Sequence, residues 1–216
     1  MGVVMQAAFL PPGSSQPIEW AFRTHTLEGE SECGDAHVVA TMPQGVLAAV
    51  VDGLGHGCEA AAAARIAVET LEARRGLAVI DLMTICHEAL RKTRGAVLSL
   101  AFFNTADDTM TWLGVGNVEG ILLRANPSQH PQKESLLLRS GVVGYQMASL
   151  RAATLPLFFG DMLIFVTDGI DARFNDDLWL TQDQDPEAIA ADILSQHLKG
   201  TDDALVLVIR YLGMKA

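Results

Sequence analysis

Apolar and polar residues alternate over Ile18 to Thr26, and the largely apolar runs His37 to Met42 and Val46 to Val51 are of strand length. A period of two is that of a half-buried strand. Three strands are therefore expected, the last two separated by the turn Pro43-Gln44-Gly45. The pattern then changes to that of helices. Glu59 to Arg74 is rich in alanine, with Ile66, Val68 and Leu71 on its apolar side and Gly76 as its stop. Asp81 suits the N-cap of a second helix over Leu82 to Arg94, closed by Gly95. Strand patterns return over Val97 to Phe103, Met110 to Val115, Val118 to Leu123, Ser135 to Arg139 and Met162 to Thr167. Asp185-Pro186 opens a third helix, with Asp185 as N-cap and Pro186 in the first turn, and Gly200 ends it. Ala204 to Tyr211 is an apolar strand. The polar run Asn126 to Glu134 reads as a loop. Pro11-Pro12-Gly13-Ser14-Ser15 is a breaker segment, so residues 1–17 are expected to be an irregular lead-in.

Many strands with short turns, a helical pair in the middle and one late helix fit an α+β sandwich better than a doubly wound sheet. The 216 residues suit a single domain over residues 1–216, and the half that are apolar suffice for a sizeable core. The net charge of −11 argues against a nucleic-acid partner, whose phosphates need a basic surface. Cys33, Cys58 and Cys86 cannot all pair, and none shows zinc-ligand spacing. A reducing cytoplasm is the simplest location. The N-terminus lacks the basic start and long apolar core of a signal peptide, and no apolar stretch is long enough to span a bilayer, so no membrane association is expected.

Two Asp-Gly pairs change the picture. Val46 to Val51 runs into Asp52-Gly53-Leu54-Gly55-His56-Gly57, and Met162 to Thr167 runs into Asp168-Gly169. Asp-Gly is also a favoured hairpin turn. After Asp52 comes a glycine loop and a helix rather than a second strand, so a hairpin fits poorly there; at Asp168 it stays open. A buried strand ending in Asp-Gly puts a carboxylate at the rim of a sheet, and glycine allows close backbone approach. Asp35 and the pair Asp202-Asp203 also sit at strand ends. Convergence of these carboxylates would cost several kcal/mol unless cations were present. Oxygen-only ligands favour Mg²⁺ or Mn²⁺ over zinc. Two such ions roughly 3.5–4 Å apart can activate a water and clamp a phosphoryl group for in-line attack. Gly114-Val115-Gly116 with Gly120 is not a dinucleotide fingerprint and reads as a hairpin turn.

Taken in order, Gly34-Asp35, Asp52-Gly53-Leu54-Gly55-His56-Gly57, Gly160-Asp161 through Thr167-Asp168-Gly169, and Asp202-Asp203-Ala204 resemble the metal-dependent protein phosphatases (protein phosphatase 2C-like). The Gly160-Asp161 and Asp202-Asp203 pairs look most like the SpoIIE branch, and the short length like its RsbX type, which resets stressosomes. The resemblance implies two antiparallel sheets packed face to face with helices outside, an α-β-β-α sandwich. It implies a phosphoserine/phosphothreonine protein phosphatase using two Mn²⁺ or Mg²⁺ ions, or three. Asp52 would bridge the ions, with the Gly53 carbonyl on one of them. Asp168 and Asp202 would complete the second site, Asp203 being the weaker ligand of its pair, and Asp35 would orient the attacking water.

Two departures stand out. Glu28 to Cys33 holds no arginine to grip phosphate, and Leu54 stands where many members have a general-acid histidine, leaving His56 two positions on for that role. The implied partners are phosphorylated STAS-domain proteins of the stressosome, docked by Gly141–Leu155 and the Asn126–Glu134 loop. Two other readings share these residues: a catalytically weak interaction module, and a metal-dependent hydrolase of a small phosphoester. The presence of every acidic position counts against the first, and the scatter of Arg and Lys against the second.

Overall fold

The computed structural model describes residues 16–177 and 184–213. Three strands come first: β1 (Ile18–His25), β2 (Asp35–Met42) and β3 (Gly45–Gly53). Helices α1 (Gly57–Arg74) and α2 (Val79–Leu90) follow, then β4 (Ala96–Asn104), β5 (Thr109–Val115) and β6 (Glu119–Leu123). Next are the short strands β7 (Lys133–Ser135), β8 (Leu138–Arg139), β9 (Gly141–Val142), β10 (Gln146–Met147) and β11 (Ala153–Pro156). β12 (Met162–Val166), α3 (Phe174–Asp177), α4 (Pro186–His197) and β13 (Ala204–Tyr211) complete the order.

One sheet has the order β1-β13-β12-β6-β7 and the other β11-β5-β4-β3-β2, with β8 added parallel to the end of β5. Every other pairing in the two sheets is antiparallel. Strand alternation sorts the side chains. In β3, Val46, Ala48 and Val50 join the core between the sheets, while Leu47, Ala49 and Val51 pack under α1 and α2. In β13, Leu205, Leu207 and Ile209 face the same inter-sheet core, and Ala204, Val206 and Val208 pack against α4. Burial on both faces explains why these two strands are almost continuously apolar. The layers are thus helix, sheet, sheet, helix, as expected.

Several boundaries differ from expectation, each for a packing reason. α2 begins at Val79 with Ala78 as its N-cap, and Asp81 sits in its first turn instead. The buried stripe Val79, Leu82, Met83, Cys86 and Leu90 has helical spacing and sets both ends. The expected strand over Ser135 to Arg139 is two, β7 and β8, which belong to different sheets. The Gly114–Gly116 segment is not a hairpin, because β5 and β6 lie in different sheets; Gly116, at φ +99°, turns the chain across between them. The polar loop after Asn126 ends at Lys133, where β7 starts. Asp185 caps α4 as expected, accepting from Ala188 N at 2.7 Å. The lead-in over residues 1–15 lies outside the described residues. No helix among the described residues is long and apolar enough to cross a membrane.

Candidate active site

Strand parity delivers the site. The even positions of β3 face the inter-sheet core, and Asp52 is the next even position after Val50. In β2, Val39 packs on that core and His37 lies against Trp20 and Phe22, so Asp35 shares their face; it pairs with Asp52 across the ladder. From the opposite sheet, Leu163 and Phe165 lead to Thr167, and Leu207 and Leu205 lead back to Asp203. Four polar side chains thus close one end of an apolar core. Thr167 ties the sheets together there. Its hydroxyl donates to Asp35 Oδ2 at 2.7 Å and accepts from Leu205 N at 2.8 Å. Asp168 and Asp202 flank these positions, just past β12 and just before β13.

Each carboxylate is held differently. Asp203 is buried, and both its oxygens take backbone amides: Leu27 N at 2.8 Å and Gly34 N at 2.7 Å. Asp168 accepts from Asn117 Nδ2 at 2.7 Å on one oxygen, and Lys199 Nζ donates to its main-chain carbonyl at 2.6 Å. Asp202 uses one oxygen for Asp203 N at 2.8 Å. Asp52 accepts no hydrogen bond among the described residues. Burial pushes its carboxyl up to about 9, helped by the charges of Asp35, Asp168, Asp202 and Asp203. Burial also raises Asp35 to about 7, against the Thr167 hydrogen bond and with the charges of Asp203, Asp168 and Asp202. Asp168 is raised by burial and by Asp202, opposed by Lys199 and Asn117.

The donor set is all oxygen, and its members repel one another, which is the chemistry of a hard divalent cation site. Among the described residues no three His, Cys, Asp or Glu side chains stand close enough to cage an ion by themselves. Mg²⁺ and Mn²⁺ keep several waters and take one or two carboxylates plus substrate phosphate, so such a cage is not required of a site for them. The set fits such ions. A Cβ on Gly53 would lie 2.2 Å from Ala60 O, so only glycine lets α1 pack this close behind Asp52.

The other expected residues fall as follows. Leu54 packs against the inter-sheet core. His56, the N-cap residue of α1, is exposed, with Nδ1 2.5 Å from Glu30 Oε1. Asp168-Gly169 is not a hairpin turn; Ile170 bridges to Leu198 instead. Asp161 is remote from the rim. It precedes β12, whose other end leads to Asp168, and it is buried in an ion pair with Arg124 at 2.8 Å. The Asn126–Glu134 loop shares that remote end, since Leu123 pairs with Met162. The hairpin β9–β10 lies beside the rim: Val143 bridges Ala96, which pairs with Gly53, and Tyr145 is exposed at its tip. Sequence reasoning missed Thr167, Asn117, Lys199 and Glu30. Thr167, immediately before Asp-Gly on the inward parity, was the one with a readable signal. It also missed Arg94, which ion-pairs with Glu59 and whose Nη1 lies 2.7 Å from where a Cβ on Gly55 would stand.

Comparison with known proteins agrees with this arrangement. The Stage II sporulation protein E (SpoIIE) family matches residues 43–212. Phosphoserine phosphatase RsbX of Bacillus subtilis (strain 168) is 30% identical over 149 residues, which cover 67% of this chain and 70% of that protein. A solved chain from the bacterial stressosome, a modular system adapted to control secondary messenger signalling, is 30% identical with a TM-score of 0.82, over 89% of this chain and 99% of that one. The crystal structure of RsbX in complex with magnesium has a TM-score of 0.79 over 90% of this chain and 95% of that one; at 22% identity it speaks to the fold. Family match, relative and fold agree, and the chain belongs to the SpoIIE family, in the RsbX branch of the protein phosphatase 2C-like phosphatases.

Proposed function

We propose that the chain is a Mn²⁺- or Mg²⁺-dependent phosphoserine/phosphothreonine protein phosphatase acting on phosphorylated STAS-domain proteins of a stressosome, in the cytoplasm. One observation carries the metal reading. Asp52 is a partly buried carboxylate that accepts no hydrogen bond among the described residues and lies within reach of the charges of Asp35, Asp168, Asp202 and Asp203. Such a group calls for a cation. Asp52 would bridge two ions with the Gly53 carbonyl on one, and Asp168 and Asp202 would serve the other. Asp202 keeps a free oxygen, whereas both oxygens of Asp203 are used to hold the backbone. Bound ions supply the positive charge that makes water a nucleophile at neutral pH and offsets the phosphoryl oxygens.

The chain's own groups do the rest. Asp35, aimed by Thr167, orients the attacking water, and Asn117 fixes one oxygen of Asp168, leaving the other for a cation. His56 protonates the leaving oxygen. The reading of the substrate draws on the 30% identity to a phosphoserine phosphatase and to a stressosome chain. Recognition then comes from surface beyond the phosphate, with the β9–β10 hairpin as the adjacent candidate. The test compares kcat/KM on an intact phosphorylated STAS domain with that on a short peptide carrying the same phosphosite. Docking predicts a preference of at least about a hundredfold, roughly 2.7 kcal/mol of transition-state binding. Equal efficiency on both would show that recognition is local.

A further inference from the structure

His56 stands three residues past Gly53 and meets a partner from far earlier in the chain. Its Nδ1 lies 2.5 Å from Oε1 of Glu30, in the loop between β1 and β2. Two further features build this contact. The loop is pinned at both ends by Asp203, through Leu27 N and Gly34 N, and Glu30 N closes a turn on Leu27 O at 3.0 Å. Gly57, the first residue of α1, has φ +71°, and a Cβ there would lie 2.4 Å from Glu30 Oε2. The glycine therefore both allows the backbone turn and leaves the space into which the carboxylate fits. That space is at the N-terminus of an 18-residue helix, where negative charge is favoured. Nε2 of His56 has no protein partner among the described residues, and the side chain is 57% exposed. One nitrogen is held and the other is open to a substrate.

We propose that Glu30 is a positioning residue that holds the His56 ring by its Nδ1–H, so that Nε2 presents the proton to the departing serine or threonine oxygen. This rests on the reading of the site as a phosphatase. In the step, an oxygen–phosphorus bond forms from water, which releases a proton to solvent. The bond from phosphorus to the serine oxygen breaks, its electron pair stays on that oxygen, and the Nε2 proton joins it. The products are phosphate and the free hydroxyl. The ring is left neutral with its remaining proton on Nδ1, the tautomer that a carboxylate acceptor favours. Glu59, in the first turn of α1, does not compete for the ring, because it is paired with Arg94.

Two measurements test this. Nitrogen-15 spectra of the metal-free protein should show neutral His56 protonated on Nδ1, and Glu30→Ala should move that proton to Nε2. In the Mn²⁺-loaded protein, Glu30→Ala should slow release from a phosphoserine peptide at least about tenfold, within what a positioned general acid contributes. It should leave p-nitrophenyl phosphate, whose leaving group needs no proton, within about twofold. Glu30→Ala added to His56→Ala should cost nothing further. An unchanged tautomer, equal losses on both substrates, or losses that multiply in the double variant would each overturn the proposal. Failure of the underlying phosphatase reading looks different: the unmutated protein would then release no phosphate at all, whatever the tautomer.

Discussion

Asp52 and His37 occupy the same face of neighbouring strands, and their ionisation works in opposite directions. The Asp52 carboxyl lies near 9 when folded, far above its ordinary 3.8. Between those values the folded metal-free protein holds a proton that the unfolded chain has lost, so stability falls as pH rises from about 4 toward 9. The His37 ring, packed 3.9 Å from Phe22, is lowered from 6.5 to about 4 by burial. There the unfolded chain binds the extra proton, so stability falls as pH drops from about 6.5 toward 4. Over about pH 4–6.5 the His37 contribution offsets the Asp52 loss, and above about 6.5 that loss is unopposed, so melting temperatures in chelator should fall more steeply above pH 6.5 than below it. His37→Phe should let stability keep rising as pH drops from about 6.5 toward 4, and Asp52→Asn should flatten the fall on the alkaline side. If neither variant changes the side assigned to it, the electrostatic account of these residues is wrong. Asp52→Asn should also cut turnover by orders of magnitude while the metal-free protein melts at the same temperature or higher, because the neutral amide never has to ionise in a buried position among four other carboxylates. Near-normal turnover in that variant would contradict the bridging role proposed for Asp52.

At the scale of elements, β12 separates two acidic motifs that look alike in sequence. Its far end begins at Asp161, whose oxygens accept from Arg124 Nη1, Ala125 N and Phe158 N. Arg124 also ion-pairs with Glu134 and donates to Pro156 O at 2.7 Å. This end carries structure, and the proposed chemistry belongs to the Asp168 end. Arg124→Ala leaves a buried carboxylate without its cation and should cost about 3–5 kcal/mol in urea unfolding. Its kcat/KM per folded molecule should stay near that of the unmutated protein. A large loss of kcat/KM at full stability would place Arg124 in the site after all.

The same contrast shows what sequence could and could not convey. The apolar runs of β3 and β13, each bounded at one end by an acidic residue, revealed both strands, because such a run is a local property, whereas the inward parity of Asp52 depends on which face of β3 meets the other sheet. Asp161 and Asp168 could not be told apart locally, since what separates them is the partner each meets, 37 residues away at Arg124 and 51 at Asn117. The Glu30–His56 contact was invisible for the same reason. The start of α2 was misjudged because a capping signal at Asp81 competed with the buried stripe beginning at Val79, and burial prevailed.

At the scale of the molecule, the site exists only where the two sheets meet. Asp35 and Asp52 come from one sheet, and Thr167, Asp168, Asp202 and Asp203 from the ends of strands in the other. Cations bound at this seam join both halves, so they should stabilise the fold by mass action. The melting temperature should rise on adding Mn²⁺, and rise more at pH 8 than at pH 6, where protons compete for Asp52. A shift independent of pH would place the ions elsewhere. The claim on which the rest depends is that these carboxylates act by holding divalent cations. Phosphate release from a phosphoserine peptide, measured after dialysis against EDTA and again after Mn²⁺ or Mg²⁺ is restored, tests it directly. No release in chelator and recovery with either ion is the predicted result; full release in excess EDTA would contradict it.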